Sequence, residues 1–151
     1  MLKPFVSGLA ILVVAGATVI AGDVNLEGVQ CVVAPRSAQL SKSAKYKEGK
    51  VYFCCGGCQG KFAKDQKKYT TKANHQLVST KQYEQKACPL SGGEVNPETK
   101  TKVAGTEVAF CCNGCKGKVE AAEEAEQLKL VFNNKAFDKS FKKVAKKSSV
   151  N

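Results

Sequence analysis

The sequence predicts an α+β protein of two small tandem units, each a β-hairpin followed by a helix, behind a removable N-terminal signal segment. Three observations carry this expectation. Eight cysteines fall into two sets of identical spacing, short β-prone runs precede each set while helical stripes follow it, and the first twenty-odd residues are far more apolar than the rest.

Composition bounds what such a chain can be. It has 151 residues, with 24 Lys and Arg against 13 Asp and Glu for a net charge of +11, a single His and no Trp. An apolar share of 43% excludes a wholly disordered polymer, and 25% charged residues exclude a protein of many membrane spans. Seven Phe and four Tyr are too few to fill a large core, so cysteine chemistry is expected to hold the fold together.

The N-terminal element comes first. Lys3 is its only charge, Phe5 to Ile20 carries just Ser7 and Thr18 as polar side chains, and Val19-Ile20-Ala21 is a small-residue cleavage site. This predicts a signal peptide over 1–21, cut after Ala21 to leave 130 residues, with an uncleaved membrane anchor as the alternative. No cysteine near its end offers a site for a lipid-modified N-terminus. All eight cysteines are then exported, to a secreted or periplasmic location, which makes nucleic acid an unexpected partner. The lysines are spread without interleaved aromatics and read as a solvated surface, with an anionic envelope surface as the partner they would otherwise fit.

The repeat follows. Cys31, Cys54, Cys55 and Cys58 are each 57 residues ahead of Cys88, Cys111, Cys112 and Cys115. The same ungapped offset matches Lys45 with Lys102, Val51 with Val108, Phe53 with Phe110, Gly57 with Gly114, Gly60 with Gly117 and Lys61 with Lys118. Units over 28–86 and 87–146 result, with a disordered tail at 147–151. Val51-Tyr52-Phe53 and Val108-Ala109-Phe110, each behind a turn containing glycine (Lys47 to Lys50; Ala104 to Thr106), predict the second strand of a hairpin in each unit. Phe62, Gln66 and Tyr69, and then Val119, Ala122, Ala125 and Leu128, recur at helical spacing. Gln76-Leu77-Val78 and Lys129-Leu130-Val131-Phe132 are expected as strands, each leading to a helix-like turn at Lys81-Gln82-Tyr83 and Lys135-Ala136-Phe137. From Lys142 onward the basic tail shows no apolar face and is expected to fray.

This order suits a metal. Cys55-Gly56-Gly57-Cys58 and Cys112-Asn113-Gly114-Cys115 are C-x-x-C spacings whose small middle residues let both sulfurs turn inward. The helix behind them points N–H groups and a positive dipole at thiolate, with Cys58 and Cys115 expected to gain most. Cys31 or Cys88 closes the site from the preceding loop. Four sulfurs per unit fit tetrahedral Zn²⁺, with Cu⁺ as competitor because clustered thiolates also suit soft ions. Such a metal contributes about 10–16 kcal/mol in small zinc modules, ample for a unit with a thin core.

The pattern Cys31, Val51-Tyr52-Phe53-Cys54-Cys55-Gly56-Gly57-Cys58, Phe62 and Tyr69 resembles the TRASH and YHS-type domain family. So does Cys88-Pro89-Leu90-Ser91-Gly92-Gly93 with Phe110-Cys111-Cys112-Asn113-Gly114-Cys115. The resemblance covers about half the chain. It implies treble-clef-like units and a role in heavy-metal sensing, trafficking or resistance. It also implies a triad of ligands, carried onto Cys31, Cys54 and Cys58 and onto Cys88, Cys111 and Cys115. Cys55 and Cys112 lie outside that triad, so their place as ligands rests on the C-x-x-C spacing alone.

Two other readings of the cysteines stand beside metal. An exported chain with an even cysteine count suits a disulfide-stapled scaffold, in which one of each adjacent pair reaches to Cys31 or Cys88. A C-x-x-C at a helix N-terminus also suits a thiol-disulfide oxidoreductase, although no βαβ series surrounds either motif. There is no phosphate-binding loop and no serine-nucleophile motif, and His75, without a counterpart in the second unit, reads as a surface or loop histidine rather than a ligand. The expectation is binding without catalysis.

Overall fold

The computed structural model describes residues 24–145, so the segment expected as signal peptide and the tail at 147–151 lie outside it. Among the described residues no helix is long and apolar enough to cross a membrane.

The first copy opens with β1 (Gln39–Tyr46) and β2 (Gly49–Phe53), an antiparallel hairpin whose inner strand buries Val51, Tyr52 and Phe53. Lys47, at φ 48°, turns the corner. Then come α1 (Gly56–Lys64), a single 3₁₀ turn at Lys67–Tyr69, α2 (Thr70–Ser79) and the short β3 (Tyr83–Gln85). The second copy repeats the hairpin as β4 (Asn96–Val103) and β5 (Thr106–Phe110), again with an intervening left-handed turn, at Ala104 (φ 47°) and Gly105 (φ 81°). Positive φ at both central positions matches the right-handed twist of the flanking strands and favours glycine at the second. It continues through α3 (Asn113–Glu120), α4 (Glu124–Phe132), α5 (Asn134–Ser140) and β6 (Phe141–Lys143).

The 57-residue offset seen in the cysteines is therefore a structural repeat. Strand limits in the two hairpins coincide under it, and both ladders slip register at the same place, between Gln39 and Ser43 and between Asn96 and Lys100. The coarse α+β expectation holds, with both hairpins and a helix directly after each where the sequence puts them. However, α1 ends at Lys64, so the expected helical stripe of Phe62, Gln66 and Tyr69 is broken before the 3₁₀ turn.

Beyond the first helix of each copy most expectations fail, although the helix-like turn expected at Lys135-Ala136-Phe137 lies within α5. Gln76-Leu77-Val78 and Lys129 to Phe132 are helical, within α2 and α4. The apolar runs are short enough to suit either state, and flanking context decides: Glu124 and Glu126 sit in the first turn of α4 and Lys129 in its last, complementing the helix dipole. The Val119 to Leu128 stripe is cut at Ala121–Glu123 into two helices. Tyr83 belongs to a strand, and Lys142 and Lys143 of the expected frayed tail form β6.

β3 pairs antiparallel with β6, joining the end of the first copy to the end of the second. α2 packs against β2 on one side and α4 and α5 on the other. One core results, to which Phe53, Phe62, Leu77, Phe110, Val119, Phe132 and Phe137 all contribute while nearly or fully buried. Each such side chain is worth about 1.5–3 kcal/mol of transfer free energy. In the first copy Phe62 lies 5.2 Å from Phe53 and 5.6 Å from Tyr46 between ring centroids. Near the second, Phe137 lies 5.0 Å from Tyr83 and 5.4 Å from Phe141. Three glutamine amides act as partial strands along the hairpin edges. Gln76 pairs with both backbone groups of Tyr52, Gln82 with those of Lys50, and Gln85 with those of Ala109, a residue equivalent to Tyr52 under the repeat. Such pairing satisfies edge groups that would otherwise be open to another chain.

Candidate metal centres

Each hairpin delivers the chain into a cysteine pair, and a tight loop brings the third sulfur to it. Cys31 opens a loop closed by its own N–H donating to the Arg36 carbonyl at 2.7 Å; Cys88 does the same with Gly93 at 2.8 Å. The result is two sulfur triads, Cys31 with Cys54 and Cys58, and Cys88 with Cys111 and Cys115. Within each triad all sulfurs lie within 4.8 Å of one another. The Cys54–Cys58 and Cys111–Cys115 separations are both 3.6 Å. Sulfurs bound to one ion at about 2.3 Å stand at such separations, so the donor set fits a soft cation. All eight cysteines are free thiols in the structure.

Cys55 and Cys112 are placed differently. Both are exposed and occupy the N-cap positions of α1 and α3, and neither belongs to a triad. Their sulfurs lie 3.9 and 3.7 Å from Cys54 and Cys111 respectively, at the rim of each cluster. The backbone N–H of Cys58 faces Cys55, and that of Cys115 faces Cys112, holding both thiols below their ordinary range. This reverses the expectation that the helix N-terminus favours thiolate most at Cys58 and Cys115. Those two sit one turn inside, where burial first and then the crowding of neighbouring thiols push each up to about 12.

The loop cysteines offer the counterweight. Burial alone raises Cys31, but N–H groups of Cys54, Val33 and Ala34 aimed at its sulfur outweigh it and bring the thiol below its usual value. The Val33 N–H donates to that sulfur at 3.4 Å. Cys88 is brought lower still, to about 6: burial again raises it, and the Ser91 hydroxyl together with N–H groups of Ser91, Cys111 and Leu90 overcomes this. Each triad thus combines one sulfur prepared as thiolate, Cys31 or Cys88, with one, Cys58 or Cys115, that a bound cation must deprotonate.

His75 is not a ligand in either cluster. Its Nε2 lies 2.9 Å from Thr106 Oγ1 and its ring meets Phe132 edge-on at 5.0 Å, so it bridges α2 to the second hairpin rather than standing on the surface. It lines a cleft of about 860 Å³ with Cys31, Gln76, Glu107 and Leu128. Sequence reasoning missed this packing role and the glutamine edge caps, because neither leaves a local pattern.

The site defines a class, a chain with two repeated three-cysteine clusters that could each hold a metal ion. No family model, curated protein or solved structure matches the chain.

Proposed function

We propose that this is an exported metal-binding protein that holds one soft cation in each cysteine triad and performs no catalysis. The observation that carries the reading is the repetition of a complete three-sulfur cluster at a 57-residue offset, on hairpins with the same register. Zn²⁺ is the proposed ion, with Cys55 and Cys112 at the rim as the fourth ligands its tetrahedral preference needs, and Cu⁺ is the competitor because it accepts three thiolates. The exposure of Cys55 and Cys112 at the rim of the triads supports heavy-metal handling, as an exposed thiol beside a site gives an incoming ligand access. Export rests on the N-terminal segment over 1–21, and the TRASH/YHS resemblance supports the same role.

Element analysis of the protein purified from its native compartment tests the reading. Close to two metal ions per chain are expected; no metal together with no free thiols would refute it in favour of disulfides. Chelation followed by circular dichroism then separates cargo from structural metal, since a cargo protein keeps its secondary structure when stripped.

A further inference from the structure

The two triads are built from equivalent positions on the same scaffold, so a residue that touches one and has no counterpart at the other is a difference the fold does not require. Ser91 is such a residue. Its Oγ lies 3.2 Å from Cys111 Sγ and 3.1 Å from the Gly93 nitrogen. The Gly93 N–H donates to the hydroxyl oxygen, which leaves its one proton for the sulfurs of this triad, shared between Cys111 Sγ at hydrogen-bond distance and the neighbouring Cys88. In the first copy the 57-residue offset puts Ala34 at this position, a side chain with nothing to donate. The loop carrying Ser91 is also fixed from α5: Lys139 Nζ donates to the Leu90 carbonyl at 2.9 Å and Ser140 Oγ to the Cys88 carbonyl at 3.0 Å.

Resting on the reading that the triads hold metal, we propose that Ser91 makes the two sites unequal. Its hydroxyl hydrogen-bonds the Cys111 sulfur and orients it as a ligand, so the Cys88/Cys111/Cys115 site takes a soft cation more tightly than Cys31/Cys54/Cys58 and fills first. A thiolate bound to a cation still carries negative charge, and a fixed donor beside it stabilises the bound state while narrowing the positions its sulfur can adopt. Loss of such an outer partner costs 10–100-fold in metal affinity. Ser91 is exposed, so water replaces part of the bond, and the effect belongs at the low end, about tenfold.

The test is a titration of the reduced full chain with Zn²⁺ against a chromophoric chelator. Wild type should bind in two steps. Cys58→Ser leaves only the second triad intact and Cys115→Ser only the first, which assigns the steps. Adding Ser91→Ala to Cys58→Ser should weaken the remaining site about tenfold, and Ser91→Thr, which keeps the hydroxyl, should restore it. Adding Ala34→Ser to Cys115→Ser should tighten the first site, a gain that general destabilisation cannot mimic. Two equal sites in wild type, or a Ser91→Ala affinity unchanged from its background, would overturn the inference while leaving metal binding intact. No uptake by any chain would overturn the metal reading and this inference with it.

Discussion

Replacing Gln76 by Leu tests whether side-chain amides complete the hairpin edge. Gln76 is 2% exposed, and its Oε1 accepts the Tyr52 N–H at 2.6 Å while its Nε2 donates to the carbonyls of Tyr52 at 3.0 Å and Gln30 at 2.8 Å. Leucine keeps the volume and removes all three bonds, stranding the buried N–H and carbonyl of Tyr52, while water can reach the carbonyl of the exposed Gln30. A stranded buried group costs about 1–3 kcal/mol, with the carbonyl at the low end because it has a second lone pair, so a total of about 2–4 kcal/mol is expected. That is a large share of the roughly 5–15 kcal/mol of a small domain. Gln82 makes the matching pair of bonds to Lys50, at 2.8 and 2.7 Å, but in contact with water. Its Leu variant should lose under about 1 kcal/mol, because water takes over the partners. Urea unfolding followed by circular dichroism, with both variants at one fixed metal concentration, reads this as a shift of midpoint at unchanged slope. Equal losses for the two would show that burial of these bonds does not set their worth and would refute the reasoning.

Other outcomes follow from the same contacts. Burial holds the His75 pKa down to about 4 against 6.5 for the free side chain, with the Ala104 backbone opposing it. The unfolded chain therefore binds the extra proton, and stability contributed by neutral His75 is present above pH 6.5 and lost as pH falls towards 4. A gap of 2.5 pH units corresponds to about 3 kcal/mol, so urea midpoints of wild type should fall more steeply over that window than those of His75→Asn. Phe62→Ala, at a site with no exposure, should cost about 3–5 kcal/mol by thermal melting and loosen α1 beneath the first triad. Lys47 and Asp138 pair across the two copies at 2.5 Å, yet Asp138 is exposed, so Asp138→Asn should change the melting free energy by less than about 1 kcal/mol. Cys55→Ser and Cys112→Ser should weaken Zn²⁺ binding in a competition titration, but less than Cys58→Ser and Cys115→Ser, which each remove a triad sulfur.

What the sequence shows directly is what the repeat fixes locally. Identical cysteine spacing, with Phe53 and Phe110 ending a β-prone run, locates both hairpins and both triads, since ligand geometry and strand period are short-range constraints. After Phe62 and Val119 the copies diverge, and local signals weaken. Leu77-Val78 and Leu130-Val131 are apolar pairs too short to fix a period, and their helical state is settled by packing of α2 against α4, a contact between segments more than forty residues apart. Pairing of Tyr83 with Lys143 is equally non-local, and three basic or polar residues in β6 and its approach conceal a strand whose one inward side chain is Phe141. Within the site, spacing brings out all eight cysteines but cannot tell a triad sulfur from a rim thiol. That distinction depends on α1 and α3 beginning directly after Cys55 and Cys112, which turns those side chains outward at the N-cap.

Each triad is expected to hold one ion independently of the other. Metal content per chain, measured by element analysis on reduced protein saturated with Zn²⁺ and freed of excess, tests it on wild type beside Cys58→Ser and Cys115→Ser. Two ions in wild type and one in each variant are expected, because each substitution removes a sulfur from one triad and leaves the other whole. One ion shared by wild type and both variants, or none in any of them, would contradict it.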